Sequence, residues 1–149
     1  MSDLKLLFSP RSLAVIGASK KAGKIGHSIM ANLRDSGFTG QVYPINLKEE
    51  EILGYKCYPS IKEVPEAVDV AVIAVPAQHS ISVAQECGEA GVKFLVVVTA
   101  GFKEIGQEGL KREQELVRIC KKFNMRMVGP NVVGIMDMHT PFNASFTPG

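Results

Sequence analysis

Short apolar runs alternate with amphipathic stretches along this chain. Leu13, Ala14, Val15 and Ile16 form a continuous apolar run that ends at Gly17. Uninterrupted apolar runs of this length are typical of strands buried on both faces of a parallel sheet. The same criterion, with turn residues as boundaries, predicts five strands, over residues 13–16, 41–46, 70–75, 94–99 and 125–128.

The segments between these runs have helical periodicity. One helix begins near Ile25 and ends near Gly37, and others are predicted over about residues 80–90 and 108–123. The segment 60–66 is too short for a full crossover helix and predicts one or two turns plus a loop. Strict alternation of strand and helix implies parallel strands joined by crossover helices. We therefore predict an α/β fold, a Rossmann-like doubly wound, mainly parallel sheet of five to six strands with helices on both faces.

The pattern changes near the end of the chain. From about Met136 onward no period is sustained and turn residues follow one another, so no element is assigned there. Residues 1–149 are predicted to form one domain. We expect this last strip to lead toward a following domain of a longer polypeptide.

Composition and charge exclude several functional classes. Seventeen basic and fifteen acidic side chains give a net charge of +2, without the basic excess of a nucleic-acid-binding domain. Cys57, Cys87 and Cys120 are far apart and form no C-x-x-C pair, which argues against a disulfide scaffold and a thiolate metal site. No signal peptide and no apolar run near 20 residues occur, so we expect a cytoplasmic protein without membrane contact.

The turn after the first strand is the strongest candidate site. In doubly wound sheets, ligands bind outside the carboxyl ends of the strands. Here Gly17, Ala18 and Ser19 are followed by Lys24 and a helix, an arrangement that favours anion binding at the helix N-terminus. The segment matches neither G-x-G-x-x-G nor a Walker A loop. The alternative is a glycine-rich helix entry with solvated lysines.

The end of the second strand bears on the type of nucleotide. Enzymes that use NAD place an acidic residue there to bind the ribose, whereas this chain has Asn46 and Lys48. A neutral amide and a cation favour a ribose with an extra phosphate, as in NADP or coenzyme A. Alternatively, Lys48 is an ordinary exposed lysine beside Glu49.

Small residues also follow the third and fourth strands, and an amide follows the fifth. These candidate ligand contacts are Val75, Pro76, Ala77, Thr99, Ala100, Gly101, Phe102 and Asn131. Ordinary turn chemistry explains each turn taken alone, and their position at one edge of the sheet favours a site. No pair of carboxylates, nucleophile–histidine pair or metal-spaced cluster occurs. We therefore assign no catalytic role to His27, His79 or His139 and expect no metal site.

Taken together, seven segments resemble a known family. They are SPRSLAVIGAS, GKIGHSIMANL, VYPINLK, EILGYKCYPSI, VDVAVIAVPA, VVVTAGFKEIGQEG and MRMVGPNVVGI. In this order, from about Ser9 to Phe146, they resemble the N-terminal CoA-binding domain of NDP-forming acyl-CoA synthetases. These are the ADP-forming acetate–CoA ligases, related to the succinyl-CoA synthetase α subunit.

The resemblance implies a role for each candidate. The Gly17-Ala18-Ser19 turn and Lys24 would hold phosphates of CoA, and Asn46 and Lys48 would lie near its 3′-phosphate. The adenine side would be lined by Val75, Pro76 and Ala77, and the pantetheine would follow Thr99, Ala100, Gly101 and Phe102. Asn131 would lie near the reacting end, where Val132 replaces the family's usual cysteine.

The resemblance also implies an activity for the complete enzyme, the conversion of acyl-CoA, ADP and phosphate to acid, CoA and ATP. The phosphohistidine and ATP-grasp parts would lie in further domains or subunits, so the 149 residues alone would bind CoA without catalysis. Two alternatives remain, a stand-alone CoA-binding regulatory protein and an NADP-binding oxidoreductase domain. The segments TAGFKE and GPN favour the ligase-type domain over the stand-alone group.

Overall fold

The computed structural model describes residues 2–130, 132, 134–137 and 142–146. In chain order the strands are β1 (Ser12–Ile16), β2 (Gln41–Ile45), β3 (Glu51–Ile52), β4 (Tyr55–Lys56), β5 (Val70–Ile73), β6 (Phe94–Val97), β7 (Arg126–Val128), β8 (Gly134–Asp137) and β9 (Phe142–Ser145). The helices are α1 (Ser2–Phe8), α2 (Ile25–Asp35), α3 (Ala77–Glu89) and α4 (Gln107–Phe123). None of these helices is long and apolar enough to cross a membrane.

Five strands form the central sheet in the order β2-β1-β5-β6-β7, all parallel. The chain passes from β1 to β2 on one side, then returns past β1 to continue on the other side. The strand order therefore reverses between β1 and β5, and a ligand crevice is expected at this point. The predicted doubly wound α/β fold is confirmed, with five strands in the sheet.

Each face of the sheet has its own apolar core. Ala14 and Ile16 of β1 belong to the core formed with α3 and α4, which includes Leu116. Leu13 and Val15 point to the opposite core, which includes Leu33 of α2. This division follows from the two-residue period of a strand, whose successive side chains point to opposite faces. Because both faces are covered, all five residues of β1 are buried, as a continuous apolar run predicts.

Several element boundaries differ from the predictions. The helix expected from about Ser80 begins at Ala77, because Pro76 already occupies its N-cap position. The segment 60–66 forms one 3-10 turn, Ile61–Glu63, as predicted, and the hydroxyl of Ser60 accepts a bond from the Lys62 N–H at its start. The hairpin of β3 and β4 was not predicted, because two-residue strands are too short to show periodicity.

The C-terminal strip is more ordered than its sequence indicated. No element was assigned there, yet β8 and β9 pair as an antiparallel hairpin. The Phe142 side chain is buried against Phe38, with ring centroids 5.3 Å apart. The Asn32 amide of α2 donates to the Ser145 carbonyl at 2.8 Å. The described part of the strip thus packs against α2; a domain beyond it stays a prediction.

An ion pair joins the amino ends of β1 and β5. The guanidinium of Arg11 donates to both carboxylate oxygens of Asp69, at 3.2 and 3.1 Å, and the Arg11 backbone N–H donates to the same group at 2.9 Å. The Asp69 residue is only 4% exposed. Burial alone would raise the pKa of its carboxyl, but the bonds from Arg11 hold that pKa below its ordinary value of 3.8.

We expect Asp69→Asn to lower the free energy of unfolding by about 1 kcal/mol. The reason is that the hydrogen bonds from Arg11 would then be accepted by a neutral amide instead of a charged carboxylate. A lowered carboxyl pKa stabilises the fold above the unfolded pKa, and this contribution is lost as pH falls through the folded pKa. The difference between the parent and the variant should therefore be full at neutral pH and shrink below pH 3.8. Urea unfolding at several pH values measures it.

The matched control is Asp35→Asn, which removes an exposed carboxylate paired with its neighbour Arg34. It should change stability by less than about 0.5 kcal/mol. An equal loss of stability from the two substitutions would contradict the stabilising role of the Arg11–Asp69 ion pair.

Candidate functional site

The turns that follow β1 and β5 are in direct backbone contact. Gly17 has a φ of +95°, a region that side chains rarely adopt. A β-carbon at this position would lie 2.8 Å from the Ala74 carbonyl carbon and 3.0 Å from the Val75 nitrogen. Only glycine allows the two turns to approach so closely. The predicted turns after the first and third sheet strands are therefore brought together at the switch point.

The first turn of α2 packs equally closely on the Gly17 turn. A β-carbon at Gly26 would overlap the Gly17 carbonyl oxygen. Lys24 is the N-cap residue, makes no side-chain capping bond, and no acidic residue occurs in the first turn. The start of α3 has the same properties, with Pro76 as its N-cap residue. Both helices thus present positive dipole ends at the carboxyl edge, without an acidic residue in their own first turns.

Local hydrogen bonds fix the segment around Ser19. Its hydroxyl accepts a bond from the Lys21 N–H at 3.0 Å. Its carbonyl oxygen lies 3.2 Å from Nδ1 of His27. Because a carbonyl oxygen only accepts, this contact assigns the proton to Nδ1 of the imidazole. The Ser19 backbone is thereby held from α2.

Asn46 connects the turn after β2 to the turn after β1. Its Nδ2 donates to the Ala18 carbonyl at 2.9 Å. Its Oδ1 accepts from the Lys48 N–H at 2.8 Å and from the Glu49 N–H at 2.9 Å. The Lys20 ammonium and the Glu49 carboxylate form a second link between the turns, at 3.2 Å.

The turn after β6 joins the same edge. The Thr99 hydroxyl donates to the Val75 carbonyl at 2.7 Å. Gly101 has a φ of +101°, and a β-carbon there would lie 3.1 Å from the Ala77 β-carbon. The Gly101 carbonyl accepts from Arg112 at 2.7 Å, and its N–H donates to the Glu104 carboxylate. Backbone N–H bonds, that of Gly101 first, lower the pKa of Glu104.

A groove of about 510 Å³ opens at this edge of the sheet. Five of the predicted site residues line it: Gly17, Asn46, Lys48, Val75 and Pro76. The other described candidates do not line the groove: Ala18, Ser19, Lys24, Ala77, Thr99, Ala100, Gly101 and Phe102. Phe102 has no exposed surface and packs in the apolar core, so it offers a ligand no contact in this structure. Asn131 lies outside the described residues.

One wall of the groove was not predicted from the sequence. Besides Pro76, α3 contributes His79, Val83 and Glu86, which fall on one helix face. This spacing was visible in the sequence, but only the structure shows that this face borders a groove rather than solvent. The remaining lining residues are Ile16, Ile45, Leu47 and Pro59.

The groove has apolar walls and two charged side chains of opposite sign. Most of its lining side chains are apolar, and its charged groups are the Lys48 ammonium and the Glu86 carboxylate. Within the described ranges, no three His, Cys, Asp or Glu residues lie close enough to hold a metal ion. All three cysteines are buried, and burial raises the pKa of the Cys120 thiol to about 11. The geometry of the groove thus supports the binding of a ligand there.

Comparison with known proteins finds relatives of nearly the whole chain. The family model described as a CoA binding domain matches residues 11–138. The chain is 48% identical to the acetate–CoA ligase (ADP-forming) I subunit alpha of Pyrococcus furiosus, over 98% of this chain and 32% of the relative. It is 48% identical to the acetate–CoA ligase (ADP-forming) of Methanocaldococcus jannaschii, over 97% of this chain and 20% of the relative.

Among solved structures, a similar one is the dinucleotide forming acetyl-coenzyme A synthetase 1 of Ca. Korarchaeum cryptofilum, in complex with phosphate and ADP. The two superpose with a TM-score of 0.95 at 49% identity, over 99% of this chain and 32% of the other. The chain thus spans about a third or less of each of these three proteins.

The contact between Gly26 and Gly17 predicts the sign of a stability change. Alanine in a helix is ordinarily about 0.5–1 kcal/mol more stable than glycine. At Gly26 the added methyl would overlap the Gly17 carbonyl oxygen, and overpacking of this kind costs about 1–3 kcal/mol. We therefore expect Gly26→Ala to lower the free energy of unfolding, measured in urea. The control is Gly23→Ala. A β-carbon there would have no atom within 4 Å, so only the φ of +94° opposes the methyl group. An increase in stability for Gly26→Ala would contradict the close packing of Gly26 on Gly17.

Proposed function

This chain belongs to the CoA-binding domain family, and from that premise we propose that it holds coenzyme A at the carboxyl edge of β1 and β5. The observation that carries the proposal is the groove between these strands. It combines apolar walls with Lys48, Glu86 and the glycine turn after β1. The adenosine 3′-phosphate end of CoA has matching parts, a flat apolar base and charged phosphates.

The dipoles of α2 and α3 support the placement of the phosphates. Both helices begin at this edge, and neither has an acidic residue in its first turn. Lys20 and Lys24 are exposed beside the start of α2. Backbone N–H groups and nearby ammonium groups stabilise the negative charge of phosphates. We infer that Gly17, Ser19 and Lys24 face the diphosphate, while Thr99, Ala100 and Gly101 border the pantetheine.

We further propose that the domain serves as one part of an ADP-forming acyl-CoA synthetase in the cytoplasm. The two curated relatives compared above are named as such ligases, and they are about three and five times as long as the matched part. In the complete enzyme, acyl-CoA, ADP and phosphate give acid, CoA and ATP. Separate phosphohistidine and ATP-grasp parts would carry the phosphate, so this domain would supply the bound thiol.

Calorimetric titration of the 149-residue chain with CoA, dephospho-CoA, NADH and NADPH tests the binding proposal. We expect CoA to bind most tightly and NADH least. We also expect no acyl-CoA from acid, ATP and CoA when the chain is tested alone. Tighter binding of NADPH than of CoA would favour an oxidoreductase domain instead, and ligase activity of the purified chain would refute the division of labour.

Lys48 is proposed to contact the 3′-phosphate, which only CoA carries. Its side chain is exposed at the rim of the groove, and it follows the end of β2. A charge-assisted contact contributes about 1.5–3 kcal/mol, so we expect Lys48→Ala to weaken CoA by roughly 10- to 100-fold and dephospho-CoA far less. The control is Lys111→Ala, the same charge change on α4 outside the groove, which should weaken neither ligand. Equal weakening of both ligands by Lys48→Ala would remove it from this role.

A further inference from the structure

Asn46 is committed to hydrogen bonds within the protein. An asparagine side chain has two acceptor positions on its oxygen and two donor hydrogens on its nitrogen. In Asn46 both acceptor positions are used, by the backbone N–H groups of Lys48 and Glu49, and one donor is used by the Ala18 carbonyl. Three of four positions are thus occupied before any ligand arrives, which does not favour direct recognition of a ligand by this amide.

These three bonds act on the two turns that border the groove. The Asn46 oxygen closes a local turn by bonding to backbone groups two and three residues later, as Asx turns do. The Asn46 nitrogen joins that turn to the segment after β1 through Ala18. The backbone of Asn46 is itself fixed, because its N–H donates to the Tyr58 carbonyl at 3.0 Å. The Asn46 side chain is therefore attached to a backbone that is itself held by a hydrogen bond.

The Lys48 residue depends on this arrangement. Its side chain is exposed, so no packing orients its backbone from that side. The 2.8 Å bond from its N–H to Asn46 holds its backbone in the turn and thereby the position from which its side chain extends. Leu47, between the two residues, is 86% exposed and contributes no burial to hold the turn.

We propose that Asn46 is a positioning residue, which orders the turn after β2 so that the Lys48 ammonium group faces the 3′-phosphate of CoA. This inference rests on the proposed function of Lys48. It assigns to Asn46 an effect on the distinction between CoA and dephospho-CoA that operates entirely through Lys48. An amide that merely stabilised the fold would affect both ligands equally.

A double-mutant cycle measures this dependence. The variants are Asn46→Ala, Lys48→Ala and the double substitution, each titrated with CoA and with dephospho-CoA. We expect Asn46→Ala to reduce the preference for CoA by at least about three-fold. In the Lys48→Ala background, the same substitution should leave the remaining preference unchanged.

Asn46→Ser provides the conservative variant. A serine hydroxyl closes a similar turn, although more weakly, but is too short to reach Ala18 as well. It should restore part of the lost preference, and it keeps the test valid if Asn46→Ala fails to fold, which circular dichroism and thermal melts will reveal.

The outcomes separate the two proposals. If Lys48→Ala lowers the preference while Asn46→Ala and Asn46→Ser weaken both ligands alike, the positioning role is wrong and the role of Lys48 stands. The same conclusion follows if Asn46→Ala still lowers the preference in the absence of Lys48. If Lys48→Ala itself leaves the preference unchanged, both assignments at this turn are wrong, whereas CoA binding is judged separately by the parent titration.

Discussion

The close backbone contact at Gly17 is the constraint on which the carboxyl edge of the sheet depends. Gly17 lies between two neighbours: Ala74 of the turn after β5 on one side and Gly26 of α2 on the other. Neither contact leaves room for a β-carbon, and the φ of Gly17 is unfavourable for any other residue. The start of α2 is thereby held against the switch point, at the carboxyl edge of the sheet. The absence of a side chain at Gly17 and Gly26 thus lets the turn after β5 and the N-terminus of α2 meet at the turn after β1.

The two edges of the sheet differ in how their charged and polar side chains are used. At the amino edge, a buried carboxylate on Asp69 has its oxygens occupied by Arg11, which closes that edge around an internal ion pair. At the carboxyl edge, the polar side chains bind backbone groups of neighbouring turns, as Thr99 does with Val75. The lysines there have exposed side chains. The proposed site thus consists of turns fixed by internal hydrogen bonds, with lysine side chains exposed beside them.

How much of this arrangement the sequence predicts depends on the range of the interaction. The alternation of apolar runs and helical faces identified the fold class, a doubly wound parallel sheet, because burial on both faces requires uninterrupted apolar residues. It also brought Gly17 and Val75 to one edge, since parallel strands end together. Periodicity failed for β8 and β9, whose few residues are held by packing of Phe142 on Phe38 and by the amide of Asn32. Such tertiary contacts leave no periodic pattern in the sequence.

Residue type alone does not distinguish a ligand contact from a residue that supports one. Phe102 follows a strand within the predicted site, yet its side chain is fully buried in the core. Asn46 also follows a strand, yet three of its hydrogen-bonding positions serve the protein backbone. In both cases the position at the strand end was predicted, and the direction of the side chain was set by neighbours distant in sequence. A binding edge built from short turns needs such supporting residues, because its turns have little apolar surface of their own to bury.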